Sequence, residues 1–146
     1  MLLILDANIV FSALIKGEFT LRLIYLLRRS GYKLVTPKAV LDEIEENKGK
    51  ILRYSKFSEP DVDFILDGLI NKVIRLFKLE RLGEFIPKAK EICSDKDDVP
   101  YVALSLALDK ISIWSDDKEL KDDCSKVGIR VFSTEEIKSL LFTNFP

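Results

Sequence analysis

Histidine is absent from this chain of 146 residues, and cysteine occurs only twice. Without histidine, the Ser-His-Asp and Cys-His catalytic arrangements are excluded, as is a zinc or haem site with histidine ligands. Cys93 and Cys124 are too few for a metal site of four thiolates or for a disulfide framework, so the cytoplasm is the expected compartment. Any chemistry must therefore come from carboxylates, amines, hydroxyls or a bound ion.

Long apolar runs and an excess of one charge sign are also missing. No apolar run reaches the roughly 18 residues of a membrane span, so none is expected. The opening segment MLLILDANIVFSALIKG lacks a basic start and is interrupted by Asp6 and Asn8, so we do not expect a signal segment. With 23 Lys and Arg against 24 Asp and Glu, the net charge is −1. Binding to nucleic acid would therefore need a local basic patch.

Short apolar runs alternate along the chain with segments of helical spacing. The runs that predict strands cover residues 2–5, 33–35, 73–77, 111–114 and 130–132. Helical spacing predicts helices over residues 9–15, 19–29, 62–70 and 117–126, and a buried helix from 97 or 98 to 108. Ser58 is the predicted cap of the helix over 62–70. Two more helices are predicted from their starts: one has Thr36 as its cap and Pro37 at its first position, and the last begins with a capping box of Ser133 and Glu136. Residues 78–94 carry no clear pattern. This alternation predicts one α/β domain over residues 1–146, with a central parallel sheet covered by helices on both faces.

Acidic residues follow two of the predicted strands and begin one helix. Asp6 directly follows the first strand, Asp116 and Asp117 follow the fourth, and Asp97 and Asp98 start the buried helix. Ligands of parallel sheets bind beyond the carboxyl ends of the strands. Each acid alone is explained as a helix cap or as a partner of the helix dipole, but several converging carboxylates repel one another unless a cation lies between them. Oxygen ligands without histidine or thiolate favour Mg²⁺ or Mn²⁺.

The helix after the second strand supplies another candidate carboxylate. Its apolar face contains Val40, Leu41 and Ile44, and Glu43 and Glu45 flank that face on either side. Helical periodicity does not distinguish between these two glutamates.

Four segments carry a family resemblance, in the order LDANIVFSAL, TPKAVLDEI, DDVPYVALSLAL and IWSDDKEL. Together they resemble the PIN-domain family of metal-dependent ribonucleases, which includes the VapC toxins, from Leu5 to Leu120. The resemblance implies a three-layer α/β/α sandwich, a carboxylate cluster that binds Mg²⁺ or Mn²⁺, and single-stranded RNA as the substrate. It also implies a homodimer and, for toxin members, an antitoxin peptide as partners. The apolar tail Leu140-Leu141-Phe142 with Phe145 is a candidate for docking.

Carried over position by position, the resemblance assigns site residues. The metal-binding carboxylates are Asp6, Glu43, Asp98 and Asp117. Asn8 and Ser115, where serine replaces the threonine usual in the family, would orient these carboxylates through hydrogen bonds.

Two acidic doublets leave alternatives open at this stage. Asp116 is retained beside Asp117 as a catalytic candidate because it lies nearer to the strand end. Asp97 is likewise an alternative to Asp98. Five basic residues near these segments are candidate contacts for substrate phosphates: Lys16, Arg22, Lys38, Lys96 and Lys118.

Two further functions compete with the ribonuclease. Asp116-Asp117 after a strand suggests a phosphatase of the haloacid-dehalogenase type, although that class has Asp-x-Asp after the first strand and this chain has Asp6-Ala7-Asn8. The other alternative is a catalytically silent PIN domain that binds RNA or protein. The complete acidic set favours the ribonuclease over both.

Overall fold

The computed structural model describes residues 1–142, apart from the side chains of Leu79 and Arg81. Its strands are β1 (Leu2–Leu5), β2 (Lys33–Pro37), β3 (Ile74–Phe77), β4 (Ile113–Trp114) and β5 (Val131–Phe132). All neighbouring strands are parallel, and the sheet order is β3-β2-β1-β4-β5. The predicted parallel sheet is confirmed, with β1 at its centre.

Helices connect the strands. They are α1 (Ala7–Ile15), α2 (Glu18–Arg29), α3 (Ala39–Glu46), α4 (Lys48–Tyr54), α5 (Glu59–Gly68), α6 (Ile86–Ile92), α7 (Val99–Ala107), α8 (Lys118–Ser125) and α9 (Thr134–Phe142). A π-helical turn covers Leu69–Val73, and 3₁₀ segments cover Leu79–Phe85 and Lys96–Asp98.

The helices form the two outer layers of an α/β/α sandwich. Helix α1 packs against α2, α3, α4 and α5, and α9 contacts α2. After β3 the chain crosses to β4 on the other side of β1, so right-handed crossovers place α6, α7 and α8 on the opposite face. Helix α7 contacts β1 and β2 there. This arrangement confirms the fold class that the sequence predicted.

Burial explains why β1 is an uninterrupted apolar run. Leu3, Ile4 and Leu5 are at most 2% exposed, because helices cover both faces of the central strand. Gly17 separates α1 from α2 with a φ of +82°, a left-handed conformation that side chains disfavour. The predicted end of the first helix at this glycine is confirmed.

Two predicted helix caps are present. The Ser58 hydroxyl accepts a hydrogen bond from the Asp61 backbone N–H. At the start of α9, the Ser133 N–H donates to the Glu136 carboxylate, and the Glu136 N–H donates to the Ser133 hydroxyl. This reciprocal pair is the predicted capping box.

The predicted cap at Thr36 is wrong. Thr36 and Pro37 belong to β2, and α3 begins only at Ala39. The Thr36 hydroxyl donates to the Leu5 carbonyl instead, which joins the ends of β1 and β2. The strand tolerates Pro37 because the pairing of β2 with β1 reaches only Val35, so no ladder donor is lost on that side.

Other boundaries differ because tertiary packing extends or shortens weak local patterns. Helix α4 was not predicted, and the patternless residues 78–94 contain a 3₁₀ segment and α6. The fourth strand has two residues instead of four. Phe145 lies outside the described residues.

No helix within residues 1–142 has the length and apolar character needed to cross a bilayer.

Candidate metal centre

The sheet order brings the predicted acidic segments to one edge. Strand β1 lies between β2 and β4, so the residues that follow these three strands are neighbours at their carboxyl ends. Asp6 follows β1, the Ser115–Asp117 segment follows β4, and α3 with Glu43 follows β2. Helix α7 starts next to Asp98 and contacts β1 and β2. A ligand site at this edge agrees with the general rule for parallel sheets.

Asp6 is buried and is held by Ser115. Only 4% of Asp6 is exposed, and the Ser115 hydroxyl donates a 2.6 Å hydrogen bond to its Oδ2. Burial raises the pKa of Asp6, the bond from Ser115 opposes that rise, and the charge of Asp117 adds to it. The same hydroxyl accepts the Asp117 backbone N–H at 3.1 Å. Ser115 therefore connects two of the predicted ligands.

Asp98 is a buried carboxylate with one unsatisfied oxygen atom. It ends the 3₁₀ segment before α7 and is 5% exposed. Its Oδ2 has no hydrogen-bond partner among the described residues. Burial, followed by the charges of Asp117 and Asp6, raises its pKa to about 7. A buried carboxylate oxygen without a donor is costly and calls for a partner such as a cation.

Glu43 faces the same edge from α3. Its Oε1 accepts a 2.8 Å hydrogen bond from the Tyr101 hydroxyl on α7. Burial raises the pKa of Glu43 to about 7. The hydrogen bond from Tyr101 opposes this rise, and the negative charge of Asp6 adds to it. Burial and the Glu43 carboxylate likewise raise the pKa of Tyr101. Glu45 is exposed, so Glu43 is the glutamate that the fold brings to the site.

Tyr101 was not singled out in the sequence. It is 1% exposed in a helix whose other residues, apart from Ser105, are apolar. A tyrosine at such a position needs a buried hydrogen-bond partner, which is the signal that a sequence reading could have used.

The structure separates the two candidates that follow β4. The Asp116 carboxylate accepts hydrogen bonds from the backbone N–H and the hydroxyl of Thr134, each at 2.6 Å, at the start of α9. Asp117 caps α8 by accepting from the Glu119 N–H, and its charge raises the pKa of both Asp6 and Asp98. Asp116 is therefore engaged at a helix start, whereas Asp117 lies near the other site carboxylates.

Asp97 and Asn8 are exposed, and each affects the pKa of one site carboxylate. The charge of Asp97 contributes to the raised pKa of Glu43. The backbone N–H of Asn8 lowers the pKa of Asp6. No hydrogen bond from the Asn8 side chain to a carboxylate occurs in residues 1–142, so the predicted orienting role of that side chain has no contact to support it.

Two acidic residues that the sequence did not suggest, Asp95 and Glu119, lie beside Asp98. One carboxylate oxygen from each of Asp95, Asp98 and Glu119 lies within 4.8 Å of the other two. Asp95 precedes the 3₁₀ segment, and Glu119 lies in the first turn of α8. Their proximity depends on how the chain packs around β4, which sequence spacing alone does not reveal.

The donor set fits a hard divalent cation. Every candidate ligand at this edge is a carboxylate oxygen, which Mg²⁺ and Mn²⁺ prefer, and the raised pKa values of Asp6, Asp98 and Glu43 reflect burial and negative charge that a cation would offset. The unpartnered Oδ2 of Asp98 offers a coordination position without the loss of any protein hydrogen bond.

Comparison with known proteins agrees with this architecture. No protein with a curated description matches the sequence. Among solved structures, the fold is similar to that of VapBC2 from Rickettsia felis bound to a DNA fragment from their promoter, with a TM-score of 0.64 and 15% sequence identity, over 91% of this chain and 98% of that chain. The profile of the PIN domain matches residues 4–141. The chain is a member of the PIN-domain family.

Proposed function

We propose that the protein is an endoribonuclease that depends on Mg²⁺ or Mn²⁺ and hydrolyses phosphodiester bonds in single-stranded RNA. The observation that carries the proposal is the buried Oδ2 of Asp98, which receives no hydrogen bond from any residue that the structure describes. The charges of the nearby Asp117 and Asp6 carboxylates also raise the pKa of Asp98. Membership of the PIN-domain family supports the proposal.

Asp6, Asp98 and Asp117 would hold the ion, with Glu43 beside them. When bound, the ion polarises the phosphodiester and lowers the pKa of a water molecule. Ser115 fixes the direction of the Asp6 carboxylate, and Tyr101 fixes that of Glu43. Because Tyr101 engages Oε1, Oε2 of Glu43 is the atom that accepts a proton from the attacking water. In the metal-free chain burial raises the pKa of Glu43 to about 7, which makes its carboxylate a better proton acceptor than an exposed one.

Substrate phosphates would meet lysines at the border of the acidic cluster. Lys38, Lys96 and Lys118 are exposed, and within residues 1–142 none of them forms an ion pair. Lys96 and Lys118 adjoin Asp97 and Asp117 in sequence. Lys16 is also exposed, whereas Arg22 pairs with Glu18 at 3.6 Å and is the weaker candidate. Local lysines let a chain of net charge −1 bind a polyanion.

The direct test is cleavage of a panel of labelled single-stranded RNAs with Mn²⁺ and with EDTA. We expect cleavage that EDTA abolishes and that Asp98→Asn reduces at least a hundredfold while the circular dichroism spectrum is unchanged. Asp122→Asn is the matched control, because Asp122 is exposed on α8. Full activity of Asp98→Asn would refute the assignment. If RNA binds without cleavage under all conditions, the silent PIN domain is the correct alternative.

The phosphatase alternative receives no support, because the chain is a PIN-domain protein and Asn8 occupies the position of the second aspartate of Asp-x-Asp. Release of phosphate from a small phosphomonoester, without nuclease activity, would restore it.

We propose further that this nuclease is a toxin that an antitoxin peptide neutralises. The similarity in fold to VapBC2 supports this proposal. Expression of the wild-type chain should then arrest bacterial growth, whereas Asp98→Asn should not. A short reading frame beside the gene whose product relieves the arrest would identify the antitoxin. The free thiols Cys93 and Cys124 agree with a reducing cytoplasm as the proposed compartment.

A homodimer is the proposed assembly. Three aromatic side chains on α2 and α9 are about half exposed, namely Phe19 at 47%, Tyr25 at 49% and Phe142 at 52%. Leu141, in the predicted docking tail, is buried within the chain itself. Sedimentation analysis should give a dimer that Tyr25→Glu dissociates, and a monomeric wild-type protein would refute the assembly.

A further inference from the structure

We infer that a cleft along β2 and β3 binds single-stranded RNA and leads it towards the proposed catalytic centre. The inference rests on the proposed function, because RNA is the substrate proposed for that centre. The cleft has a volume of about 860 Å³ and is lined by residues of α2, β1, β2, β3 and the π-helical turn before β3. Among the described residues, none that is assigned to the metal centre lines it.

The cleft carries positive charge that no acidic residue compensates. Its four cations are Arg28 in the last turn of α2, Lys33 in β2, Lys72 in the π-helical turn and Arg75 in β3. All four are exposed, and within residues 1–142 none of them forms an ion pair. No acidic side chain in the described part of the chain lines the cleft, although Asp67 accepts a 2.6 Å hydrogen bond from the lining residue Asn71. Such a cationic surface complements a polyanion.

The lining between the cations is largely apolar and includes an aromatic ring. Leu2, Val35 and Phe77 line the cleft and are buried or half-buried. Arg75 and Phe77 are two residues apart on β3, so their side chains point to the same face of the sheet. The Arg75 guanidinium lies 5.4 Å from the centre of the Phe77 ring. Proteins that bind single strands combine a cationic groove with aromatic rings on which bases stack, and this cleft contains both.

One end of the cleft lies beside the proposed catalytic centre. Phe77 is the last residue of β3, and its carbonyl accepts the Lys38 backbone N–H at 2.7 Å. Lys38 directly precedes α3, the helix that carries Glu43. From Lys33 to Lys38 the chain rises by about 16 Å, at roughly 3.3 Å per residue, which is a span of a few nucleotides. A strand bound along β2 and β3 therefore continues past the exposed Lys38 to the carboxylates.

The opposite edge of the sheet has a similar contact without the excess of positive charge. The Arg130 guanidinium lies 4.4 Å from the centre of the Phe132 ring, at the edge strand β5. Two acidic residues, Glu135 and Glu136, line the pocket that these side chains share. An arginine over a phenylalanine does not by itself create a site for a polyanion. Arg130 and Phe132 therefore supply matched controls for their counterparts on β3.

RNA fits the cleft better than an acidic peptide that would pair with the outer edge of β3. Strand β3 has four residues, and one of them is an exposed arginine. Short edge strands with charged side chains resist pairing with another chain. The cations also come from four separate elements, which suits phosphates distributed along a nucleotide chain rather than one added strand.

The test is the affinity of the full-length protein for a fluorescein-labelled, single-stranded oligoribonucleotide of about twelve nucleotides, measured by anisotropy in EDTA at several KCl concentrations. EDTA prevents metal-dependent cleavage, so the titration measures binding alone. We expect Lys33→Gln/Arg75→Gln to weaken binding at least tenfold. The steepness of log K against log [KCl] should fall by about 1.4, at about 0.7 for each cation. The control Lys126→Gln/Arg130→Gln removes two exposed cations outside the cleft and should stay within a factor of about two.

Stacking is tested separately from charge. Phe77→Leu should weaken binding at least fivefold and leave the salt dependence unchanged, because the ring carries no charge. Phe132→Leu is the matched control, and thermal melts check that both variants fold; if Phe77→Leu does not fold, the exposed charge variants decide. Equal losses in the cleft and control variants, no loss in Lys33→Gln/Arg75→Gln, or no RNA binding by the wild type would overturn the inference.

Two further results separate this inference from the proposed function. If the cleft variants bind and cleave RNA like the wild type with Mn²⁺, the cleft is refuted and the nuclease stands. If RNA binds through the cleft and no condition gives cleavage, the cleft stands and the nuclease fails. A glutamate oligomer that binds the wild type as tightly as the RNA, and binds Lys33→Gln/Arg75→Gln more weakly, would assign the cleft to an acidic protein partner and overturn the inference.

Discussion

The hydroxyl of Ser115, which follows β4, donates to Oδ2 of Asp6, which follows β1, at 2.6 Å. This bond joins the ends of two neighbouring parallel strands at the edge where the carboxylates meet. It also opposes the rise in the pKa of Asp6 that burial causes.

Ser115→Ala should therefore weaken the metal centre without unfolding the chain. The loss leaves Oδ2 of Asp6 without its donor, so its pKa rises further and it holds a cation less well. We expect Mn²⁺ affinity and RNA cleavage to fall by about tenfold to a hundredfold, since a hydrogen bond to a charged group contributes roughly 1.5–3 kcal/mol. Ser115→Thr keeps the hydroxyl and should retain affinity. Equal losses in both variants would contradict the role of the hydroxyl.

Tyr101→Phe should shift the pH dependence of catalysis. The Tyr101 hydroxyl stabilises ionised Glu43, whose pKa of about 7 already reflects burial. Without that bond the pKa of Glu43 rises, so the acidic limb of the pH–rate profile should move to higher pH by about one unit. Tyr54→Phe, at an exposed position on α4, is the control. An unchanged profile would show that Glu43 is not the base.

Substitution of Asp116 should mainly reduce the stability of the fold, whereas substitution of Asp117 should mainly reduce RNA cleavage. Asp116 accepts two hydrogen bonds from Thr134 at the start of α9, so Asp116→Ala should destabilise the fold by about 1 kcal/mol, the usual value for a lost helix cap. Its RNA cleavage should stay within a factor of about two once the protein is folded. Asp117→Asn should reduce cleavage far more. Thermal melts and cleavage assays on both variants check this, and the opposite order would reverse the assignment.

Asp98 should make the metal-free protein less stable as pH rises. Its pKa is raised from 3.8 to about 7 in the folded chain, so between these values the folded state binds more protons than the unfolded state, and the free energy of unfolding falls with increasing pH. Between pH 4 and pH 8 the free energy of unfolding should fall by on the order of 2–4 kcal/mol more in the wild type than in Asp98→Asn. Denaturant titrations at both pH values measure this difference. An equal fall in the free energy of unfolding of the two proteins would contradict this prediction.

Much of the fold follows from the sequence because local patterns and tertiary structure agree. The buried run of β1, the glycine at position 17 and the Ser133/Glu136 capping box were all predicted and are present. The helix start predicted at Thr36-Pro37 is wrong because the pairing of β2 with β3 extends through Pro37. This strand pairing prevails over the local helix-start pattern.

The candidate site was only partly predictable. The strand ends and the family resemblance predicted that Asp6, Asp98 and Asp117 lie together. The resemblance also assigned Glu43, whereas helical periodicity did not choose between Glu43 and Glu45. The contact between α3 and Tyr101 on α7 distinguishes them, and that contact is tertiary. Asp95 and Glu119 were missed for the same reason, since the bond between Ser94 and Asp123 links segments 29 residues apart.

The proposed metal centre depends on Oδ2 of Asp98 as a ligand of a divalent cation. Crystals grown with MnCl₂ and measured for anomalous scattering of manganese test it most directly. We expect an anomalous peak about 2.0–2.6 Å from Oδ2 of Asp98, with Asp6 or Asp117 in the same coordination shell. A map without manganese density at Asp98, in which a protein donor engages Oδ2, would contradict it.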